Sequence, residues 1–508
     1  MPTYLSPGVY VEEVEAGARP IEGVGTAVAA FVGFAARGPF NTPTLVSNWA
    51  QYTQTFGDFL EDSYLGQSVY GFFLNGGTNC YVVRIGGERD NGNGNGSAPS
   101  GPQAVLGSYR VAAKELGAAD ITVEVADASG ENPPDDRFTL LVKQNGKVVE
   151  THNVTTKRTK DYVVTVVKEK SNLITIEETS SAALAKPDKG SVTLQDAPAA
   201  PPVPRKIAAD DYVGDVADRT GFGGLEALEE VTMVSVPDLM SSYQRGLITL
   251  ESVKAVQLAM IAHCELMGNR IAILDPPPGL NPQQVRDWRQ NVAGYDSKYA
   301  ALYYPWIKIF DAASDEHVFV PPSGHMAGVW ARTDGTRGVH KAPANEVVRG
   351  AVALETQLTK AEQELLNPIG VNCIRAFAGR GIRVWGARTL SSDPAWRYLN
   401  VRRLFNYLED SILSGTQWVV FEPNDDALWA RIRRTISAFL VTEWRKGALF
   451  GLTPDEAFYV KCDRETNPAE SIDLGQVVCE VGIAPVKPAE FVIFRLAQVS
   501  GGTSLVNE

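Results

Sequence analysis

The sequence predicts a multidomain protein of the mixed α/β class, and three observations support this prediction. The chain has 508 residues, which at about 150 residues per domain suggests about three domains. Residues 206–345 alternate between strand and helix patterns, as in a mainly parallel sheet covered by helices. Residues 103–197 have the composition of strands, and we expect them to form a small β domain inserted into the larger fold.

The inserted β domain is delimited by two low-complexity stretches. Residues 91–102 are rich in Asn, Gly and Ser and predict a flexible linker, whereas Pro198–Pro204 predicts a stiffer, extended one. Asn145-Gly146 favours a type I′ hairpin turn because both residues tolerate positive φ. The strands predicted in this domain are Ile121–Val125, Phe138–Val142, Tyr162–Val167 and Leu173–Ile176.

Residues 206–345 are predicted to form a second, α/β domain. An amphipathic helix runs from Val253 to Met267 with apolar residues three and four positions apart, and Gly268 marks its end. The strands predicted around it are Val231–Val236, Arg270–Asp275 and Ala301–Asp311.

The last third of the chain contains two marked amphipathic helices. The first is predicted to begin at Pro394, behind the capping residue Asp393. The second is predicted to begin at Asn424, with acidic residues in its first turn. One polar face of this second helix carries three arginines, Arg431, Arg434 and Arg445. The strands predicted to close the chain are Gln476–Ile483 and Glu490–Leu496.

Composition and charge exclude several classes of protein. Apolar residues make up 44% and charged residues 21%, which is ordinary globular usage. The net charge of −13 argues against a generic binder of nucleic acid or of acidic membranes. The five cysteines are scattered without CxxC spacing, so we expect reduced thiols. Since a signal peptide and a run of about 18 apolar residues are both missing, we expect a soluble intracellular product without membrane insertion.

The sequence carries no strong signature of catalysis or of a cofactor. P-loop, GxGxxG, HExxH, GxSxG and EF-hand patterns are all missing, so we predict neither an enzyme nor a cofactor. The alternative is an α/β hydrolase-like enzyme built on residues 206–345, with Ser323 as nucleophile and His325 as base. Otherwise His325 is expected to be a loop histidine with a structural hydrogen bond.

Two further features leave alternatives open. Residues 368–461 carry a net charge of +4 and the remainder −17. The basic residues either form a solvated helix face with local ion pairs or meet an acidic partner. Tyr4–Val14 has strand composition and either pairs within its own fold or is an arm that adds to another subunit's sheet edge.

Four segments resemble the signature of contractile tail sheath proteins. They lie in the same order as in that family and cover the N-terminus and most of residues 206–499. Residues 98–205 carry no matching motif. The four segments are Tyr4–Glu13, Val320–Asn345, Arg388–Ser391 with Trp396–Leu404, and Val481–Arg495.

The resemblance implies a subunit of a sheath whose sixfold rings stack helically around an inner tube and contract to drive the tube through an envelope. Terminal arms exchanged between subunits would knit this sheath together, and a strand can pivot about a Gly or Pro hinge during contraction. Carried onto this chain, the exchanged strands are Val9, Tyr10, Val11 and Glu12 at one end and Val492, Ile493 and Phe494 at the other. The implied domains are an N-terminal arm (1–25), a sheath core (26–97 and 346–488), an inserted surface domain (98–205), the α/β domain (206–345) and a C-terminal arm (489–508).

The resemblance also implies the partners. They are further copies of the chain, an inner tube protein, and baseplate and tail-terminator (cap) proteins, with no nucleic acid. We expect Arg431, Arg434 and Arg445 to contact the tube, although the first helix is also basic, through Arg397, Arg402 and Arg403. The particle would assemble in the bacterial cytoplasm and can be released from the cell. The resemblance does not distinguish between a phage tail, a tailocin and an extracellular injection system. A type VI secretion sheath is the other alternative, although its sheath is divided between two chains.

Overall fold

A computed structural model describes residues 20–86, 203–204, 206–311 and 314–496, together with most of 103–194. The predicted arm strand around Val9–Glu12 lies outside the described residues. The elements before the insertion are strands β1 (Val28–Gly33), β2 (Thr44–Val46) and β3 (Asn79–Arg84) and helices α1 (Trp49–Phe56) and α2 (Leu65–Asn75).

The insertion forms two antiparallel sheets around a core of their own. The order of one sheet is β10-β6-β7-β8 and that of the other is β4-β5-β9. The predicted hairpin turn is confirmed, because Gln144 pairs with Lys147 across it. The elements are β4 (Gln103–Leu106), β5 (Tyr109–Ala113), β6 (Ile121–Asp127), β7 (Arg137–Gln144), β8 (Lys147–Thr155), α3 (Val163–Lys170), β9 (Ile174–Glu178) and β10 (Gly190–Thr193).

One predicted strand of the insertion is wrong. Val163–Val167 lies in helix α3 behind the N-cap Tyr162, although four of these five residues are valines. Val163, Val166 and Val167 are buried in the core of the insertion. Their spacing places them on one helical face, so burial in the tertiary structure outweighs the β propensity of valine.

The two ends of the insertion meet. Ile85, just after β3, and Ile207, just before α4, belong to the same hydrophobic core cluster. Between them, Gly86 has a positive φ of 90°, and a Cβ atom there would lie 2.8 Å from Cγ of Pro204. Glycine is therefore needed where the chain leaves the core.

The central region contains the predicted strands and the long amphipathic helix. The helix begins behind Thr249, whose hydroxyl accepts a hydrogen bond from the Ser252 amide, and ends at left-handed Gly268, as predicted. The elements are α4 (Ala209–Val213), β11 (Met233–Ser235), α5 (Asp238–Gln244), α6 (Leu250–Met267), β12 (Ile271–Leu274), α7 (Pro282–Asp287), β13 (Ala300–Tyr304), β14 (Ile307–Asp311), β15 (Glu316–Val320) and α8 (Ser323–Arg337).

Residues 301–311 are two strands rather than the single strand predicted. Pro305 separates them, and a proline cannot donate to a strand ladder. Strand β13 belongs to the large sheet, whereas β14 joins a separate antiparallel sheet with β15 and β16.

The C-terminal region begins with the edge of the large sheet and ends in a helical domain. Its elements are β16 (Ala351–Leu354), α9 (Lys360–Leu366), β17 (Val371–Phe377), β18 (Gly381–Val384), α10 (Leu399–Gly415), α11 (Asp426–Arg445), α12 (Pro454–Ala457), β19 (Phe458–Lys461), α13 (Ala469–Asp473) and β20 (Glu480–Ile483).

Two helix starts and two strands in this region differ from the predictions. Pro394–Trp396 is a separate 3₁₀ turn, and helix α10 starts only at Leu399. Helix α11 begins behind Asp425, not Asn424, because the Asp425 carboxylate accepts the Leu428 amide. The strand predicted over Gln476–Ile483 covers only β20, and Glu490–Leu496 joins no strand ladder among the described residues.

One eight-stranded sheet runs through the centre of the molecule, in the order β18-β17-β13-β12-β11-β1-β3-β2. Its six inner strands are parallel, and an antiparallel strand lies at each edge. The predicted mainly parallel sheet is therefore confirmed. Strands from both sides of the insertion share it, and helices cover both faces: α4, α5 and α6 on one, and α1, α2 and α8 on the other.

Helices α2 and α8 pack unusually closely because glycines lie between them. A Cβ atom at Gly324 would lie 2.4 Å from Cα of Ser68, and one at Gly328 would lie 2.5 Å from the carbonyl oxygen of Phe72. The missing side chains let the two backbones approach each other.

Candidate assembly surfaces

The strand order reverses between β1 and β11, the place where doubly wound sheets commonly bind ligands. In this protein the Asp238 carboxylate occupies that place. It accepts hydrogen bonds from the Phe34 amide (2.6 Å), the Ser63 hydroxyl (2.9 Å) and the Tyr64 amide. A Cβ atom at Gly33 would lie 2.3 Å from this carboxylate. The switch point is thus filled by the protein's own side chain.

The predicted nucleophile Ser323 is fully buried at the start of α8. Its hydroxyl donates to Oδ2 of Asp275 (2.5 Å), which also accepts its amide through Oδ1 (3.0 Å). The Ser235 hydroxyl donates to the Ser323 oxygen at 2.9 Å. Asp275 therefore caps the first turn of α8, and burial raises the pKa of its carboxyl to about 7.

His325 lies in helix α8, so its prediction as a loop residue is wrong. Its side chain is buried against Gly71, where a Cβ atom would lie 2.3 Å from Nδ1. Nδ1 has no hydrogen-bond partner within the described part of the chain. Burial lowers the pKa of His325 to about 4, so the imidazole is neutral. The Ser323 hydroxyl is bonded to a carboxylate rather than to this imidazole, which does not fit the hydrolase alternative.

Two arginines of helix α10 are buried and form ion pairs inside the protein. Arg403 forms an ion pair with Asp334 of α8, and both side chains are about 5% exposed or less. Arg402 is 2% exposed; its guanidinium stacks on Trp396 at 4.5 Å and donates to Asn406 and Glu409. These two cations therefore cannot contact another protein.

Helix α11 presents three of its four arginines outward. Arg434 and Arg445 are exposed, and neither forms an ion pair with any described residue. Arg431 pairs with Glu422 at 2.9 Å and lies 4.7 Å from the ring of Trp418. The opposite face of the helix packs into the C-terminal core. The structure thus places all three predicted residues on the solvent side of one helix.

Strands β19 and β20 form a sheet of two antiparallel strands. No third strand pairs with either of them among the described residues, so each has an edge outside any strand ladder. Just after β20, Pro485 forms an isolated antiparallel bridge with Leu449. Tyr459 in β19 is 59% exposed, and the same domain exposes further large apolar side chains: Leu413, Phe421, Phe450, Leu452 and Leu474. An open edge beside apolar surface favours addition of a strand from another chain.

The C-terminal segment leaves the domain at a tightly held residue. Glu490 accepts two hydrogen bonds from Arg388 (2.9 and 2.6 Å), one from Asn367 (2.8 Å) and one from the Tyr398 hydroxyl (3.2 Å). The apolar residues that follow are largely exposed to solvent: Phe491, Val492, Ile493, Phe494 and Leu496 are 68–98% exposed. Sequence analysis missed this Glu490 clamp, although Glu490 and Arg388 both lie in the motifs that carry the resemblance.

Two kinds of site are not found in the described part of the chain. No group of three or more His, Cys, Asp or Glu side chains there could hold a metal ion. None of its helices has the length and apolarity required to cross a membrane.

Two family models together match more than half of the chain. Residues 219–390 match the phage tail sheath protein central domain, and residues 391–498 match the phage tail sheath C-terminal domain. The tail sheath protein of Burkholderia phage BcepMu is 24% identical over 95% of this chain and 94% of that protein. The tail sheath protein of Vibrio phage KVP40 is 29% identical over 38% of this chain, which spans only 28% of that longer protein.

Solved structures of sheath proteins match nearly the whole chain. The contracted helical sheath of the anti-feeding prophage is 25% identical, with a TM-score of 0.61, over 98% of this chain and all of that one. The contracted PVC sheath complex, from an extracellular contractile injection system, is 24% identical, with a TM-score of 0.57, over 98% and 99%. Three of the four sequence motifs lie within the residues that the family models match. The chain belongs to the family of contractile tail sheath proteins.

Proposed function

We propose that this protein polymerises as stacked sixfold rings around an inner tube and contracts to drive that tube through a target envelope. The observation that carries this proposal is the open two-stranded sheet β19–β20 in the same domain as an exposed apolar C-terminal segment. A donor segment and an acceptor edge on one chain would let identical copies join head to tail.

The C-terminal arm would begin immediately after Glu490. The Glu490 clamp fixes the root of the arm on its own subunit, while Val492, Ile493 and Phe494 extend beyond it. Backbone hydrogen bonds from these residues would extend the β19–β20 sheet of a neighbour, and burial of their side chains would stabilise the pairing. We propose that Val9, Tyr10, Val11 and Glu12 supply a second strand in the same way.

The inner tube would lie against helix α11. Because Arg402 and Arg403 of α10 are buried in ion pairs, the accessible arginines of helices α10 and α11 are Arg431, Arg434 and Arg445. Ion pairs of exposed arginines contribute about 0–1 kcal/mol each. Such contacts are weak enough to break when the sheath moves over the tube.

We further propose that contraction draws its energy from the lattice. An extended sheath would be held until the baseplate opens, and would then relax to a shorter, wider lattice while exchanged strands pivot at their hinges. A baseplate and a terminator protein would bound the sheath, which would assemble in the bacterial cytoplasm. Residues 98–205 would face outward, so deletion of 98–204 should leave polymerisation intact.

Negative-stain electron microscopy of the full chain expressed alone tests the assembly proposal. Hollow striated tubes are expected from the full chain, and their loss is expected from variants lacking residues 1–15 or ending at Glu490. A matched control, Lys360→Ala on the exposed face of α9, should polymerise normally. A monodisperse monomer from the full chain would overturn the proposal.

A further inference from the structure

Two of the five cysteines oppose each other at the end of the β19–β20 hairpin. The register pairs Phe458 with Ile483 and ends with Lys461 opposite Glu480. One step further along the same register, Cys462 stands opposite Cys479. The two thiols are close enough for each to affect the pKa of the other. Cys462 is buried in the core of the C-terminal domain, and Cys479 packs against that core.

The backbone around the two thiols is held in place. The Asn467 side chain accepts the Val478 amide at 2.6 Å and donates to the Val478 carbonyl at 3.0 Å. The same side-chain nitrogen lies 3.8 Å from Sγ of Cys462. Asn467 thus ties the turn after β19 to the residue before Cys479.

We propose that Cys462 and Cys479 form a redox-controlled disulfide that staples the β19–β20 hairpin. Opposed residues of antiparallel strands have Cα atoms about 4.5–5.5 Å apart, which lies inside the range of about 4.4–6.8 Å found in disulfides. Both residues are free thiols in this structure. The other three cysteines lie apart from this hairpin, in β3, α6 and β17.

The oxidant is a small disulfide, RSSR, such as oxidised glutathione. The partly buried Cys479 thiolate, having released its proton, attacks one sulfur of RSSR and expels one RS⁻, which leaves a Cys479–SR mixed disulfide. The buried Cys462 thiolate then attacks the Cys479 sulfur and expels the second RS⁻. The two thiols together lose two electrons and two protons, and RSSR becomes two RSH.

The surroundings make this oxidation slow and pH-dependent. Burial, then the neighbouring Cys462, raises the pKa of Cys479 to about 12, and burial also raises the pKa of Cys462. The charged groups acting on the pair are Arg433 of α11, which favours the thiolates, and Asp463 and Glu480, which oppose them. Since only thiolates react, closure should speed up about tenfold per pH unit.

The staple would covalently close the segment from Cys462 to Cys479, which includes α13. Formation of this disulfide depends only on the geometry of the β19–β20 hairpin. Its consequence for the sheath rests on the proposed function: the staple would hold together the two strands that receive the arms once the particle meets an oxidising medium.

The test is a count of thiols in the full-length protein. The folded protein is incubated with oxidised glutathione at pH 8, then denatured and alkylated, and its mass is measured. Five alkylated cysteines are expected before oxidation and three after it, with one cross-linked peptide pair joining Cys462 to Cys479. Five remaining thiols, a different cross-link, or a stable glutathione adduct on Cys479 would each overturn the proposal.

Two variants act as matched controls. Cys462→Ser should stop at the Cys479–glutathione adduct, and Cys479→Ser should keep all four of its thiols. The wild-type result alone decides the proposal, so a folding defect in a variant does not affect it. Because the count does not depend on polymerisation, its failure is distinguishable from failure of the sheath function.

Discussion

Arg403 and Asp334 form a bidentate ion pair that joins helix α10 to helix α8 in the interior of the protein. Nη1 lies 2.9 Å from Oδ1, and Nη2 lies 2.5 Å from Oδ2. The Thr26 hydroxyl donates to the same carboxylate at 2.7 Å, and its carbonyl accepts from Arg403. The pair therefore ties the segment before β1 to the central and C-terminal regions.

We expect removal of one partner of this pair to be strongly destabilising. Asp334→Ala leaves a buried guanidinium without its counter-charge and should lower the free energy of unfolding by about 3–5 kcal/mol. Urea denaturation measures this value. Glu364→Ala, which breaks the exposed Lys360–Glu364 pair, should cost at most about 0.5 kcal/mol. Similar losses in the two variants would contradict the prediction.

The close packing of α2 on α8 predicts opposite effects for two glycines of one helix. Gly328→Ala would place a methyl group against the Phe72 carbonyl and should cost about 1–3 kcal/mol. At Gly335, which also lies in α8, a Cβ atom meets nothing within 4 Å. Gly335→Ala should therefore stabilise the protein by up to about 1 kcal/mol. Thermal unfolding of both variants checks the signs, and a loss at Gly335 would refute the argument.

The buried Asp275 predicts a stability that falls as pH rises. Its pKa of about 7 in the folded protein lies above the ordinary value of 3.8, so the folded state binds the proton more tightly. The stability from this group is complete below about pH 4 and is lost as the pH approaches 7. The melting temperature of Asp275→Asn minus that of wild type should therefore increase as the pH rises from 5 to 8.

Burial also raises the pKa of Asp238, but Asp238 is present in both the wild type and Asp275→Asn. The difference in melting temperature between these two proteins therefore reports on Asp275. Asp296→Asn is the control of opposite sign. The pKa of Asp296 is lowered because Ser392 donates to its carboxylate. Asp296→Asn should therefore melt at a lower temperature than wild type at neutral pH, and this difference should disappear as the pH falls. A difference between Asp275→Asn and wild type that does not change with pH would show that Asp275 is not protonated in the folded protein.

The proposed tube surface predicts selective loss of tube binding. Arg434→Glu together with Arg445→Glu should still yield sheaths but should reduce the fraction filled by co-expressed tube protein, most strongly at low salt. Counting filled and empty sheaths by electron microscopy measures this fraction. Arg397→Glu changes an exposed arginine outside helix α11 and should have no effect. If Arg397→Glu reduced the fraction of filled sheaths equally, the tube contact would instead have to lie in the region before α10.

The parts of the fold that depend on local pattern were predictable. Helix α6 and its end at Gly268 follow from apolar spacing and one glycine, and the β7–β8 hairpin follows from Asn145-Gly146. Valine-rich α3 could not be predicted in this way, because its helix depends on burial of one face against the two sheets of the insertion.

The site was predictable only in part, for the same physical reason. Arg402 and Arg403 look as basic as Arg431 in the sequence. Only the fold brings Trp396 and Asp334 against the first two and leaves α11 facing solvent. The Glu490 clamp likewise joins residues about 100 positions apart, which no local pattern reveals.

The meeting of Gly86 and Pro204 has a consequence for the evolution and engineering of this protein. Because the chain leaves and re-enters the core at neighbouring points, the intervening hundred or so residues can be exchanged as a cassette without stretching the large sheet. A lectin, an enzyme or a fluorescent reporter with adjacent termini could be grafted there. Every subunit would then carry one copy, which would turn an assembled particle into a dense, regularly spaced display scaffold.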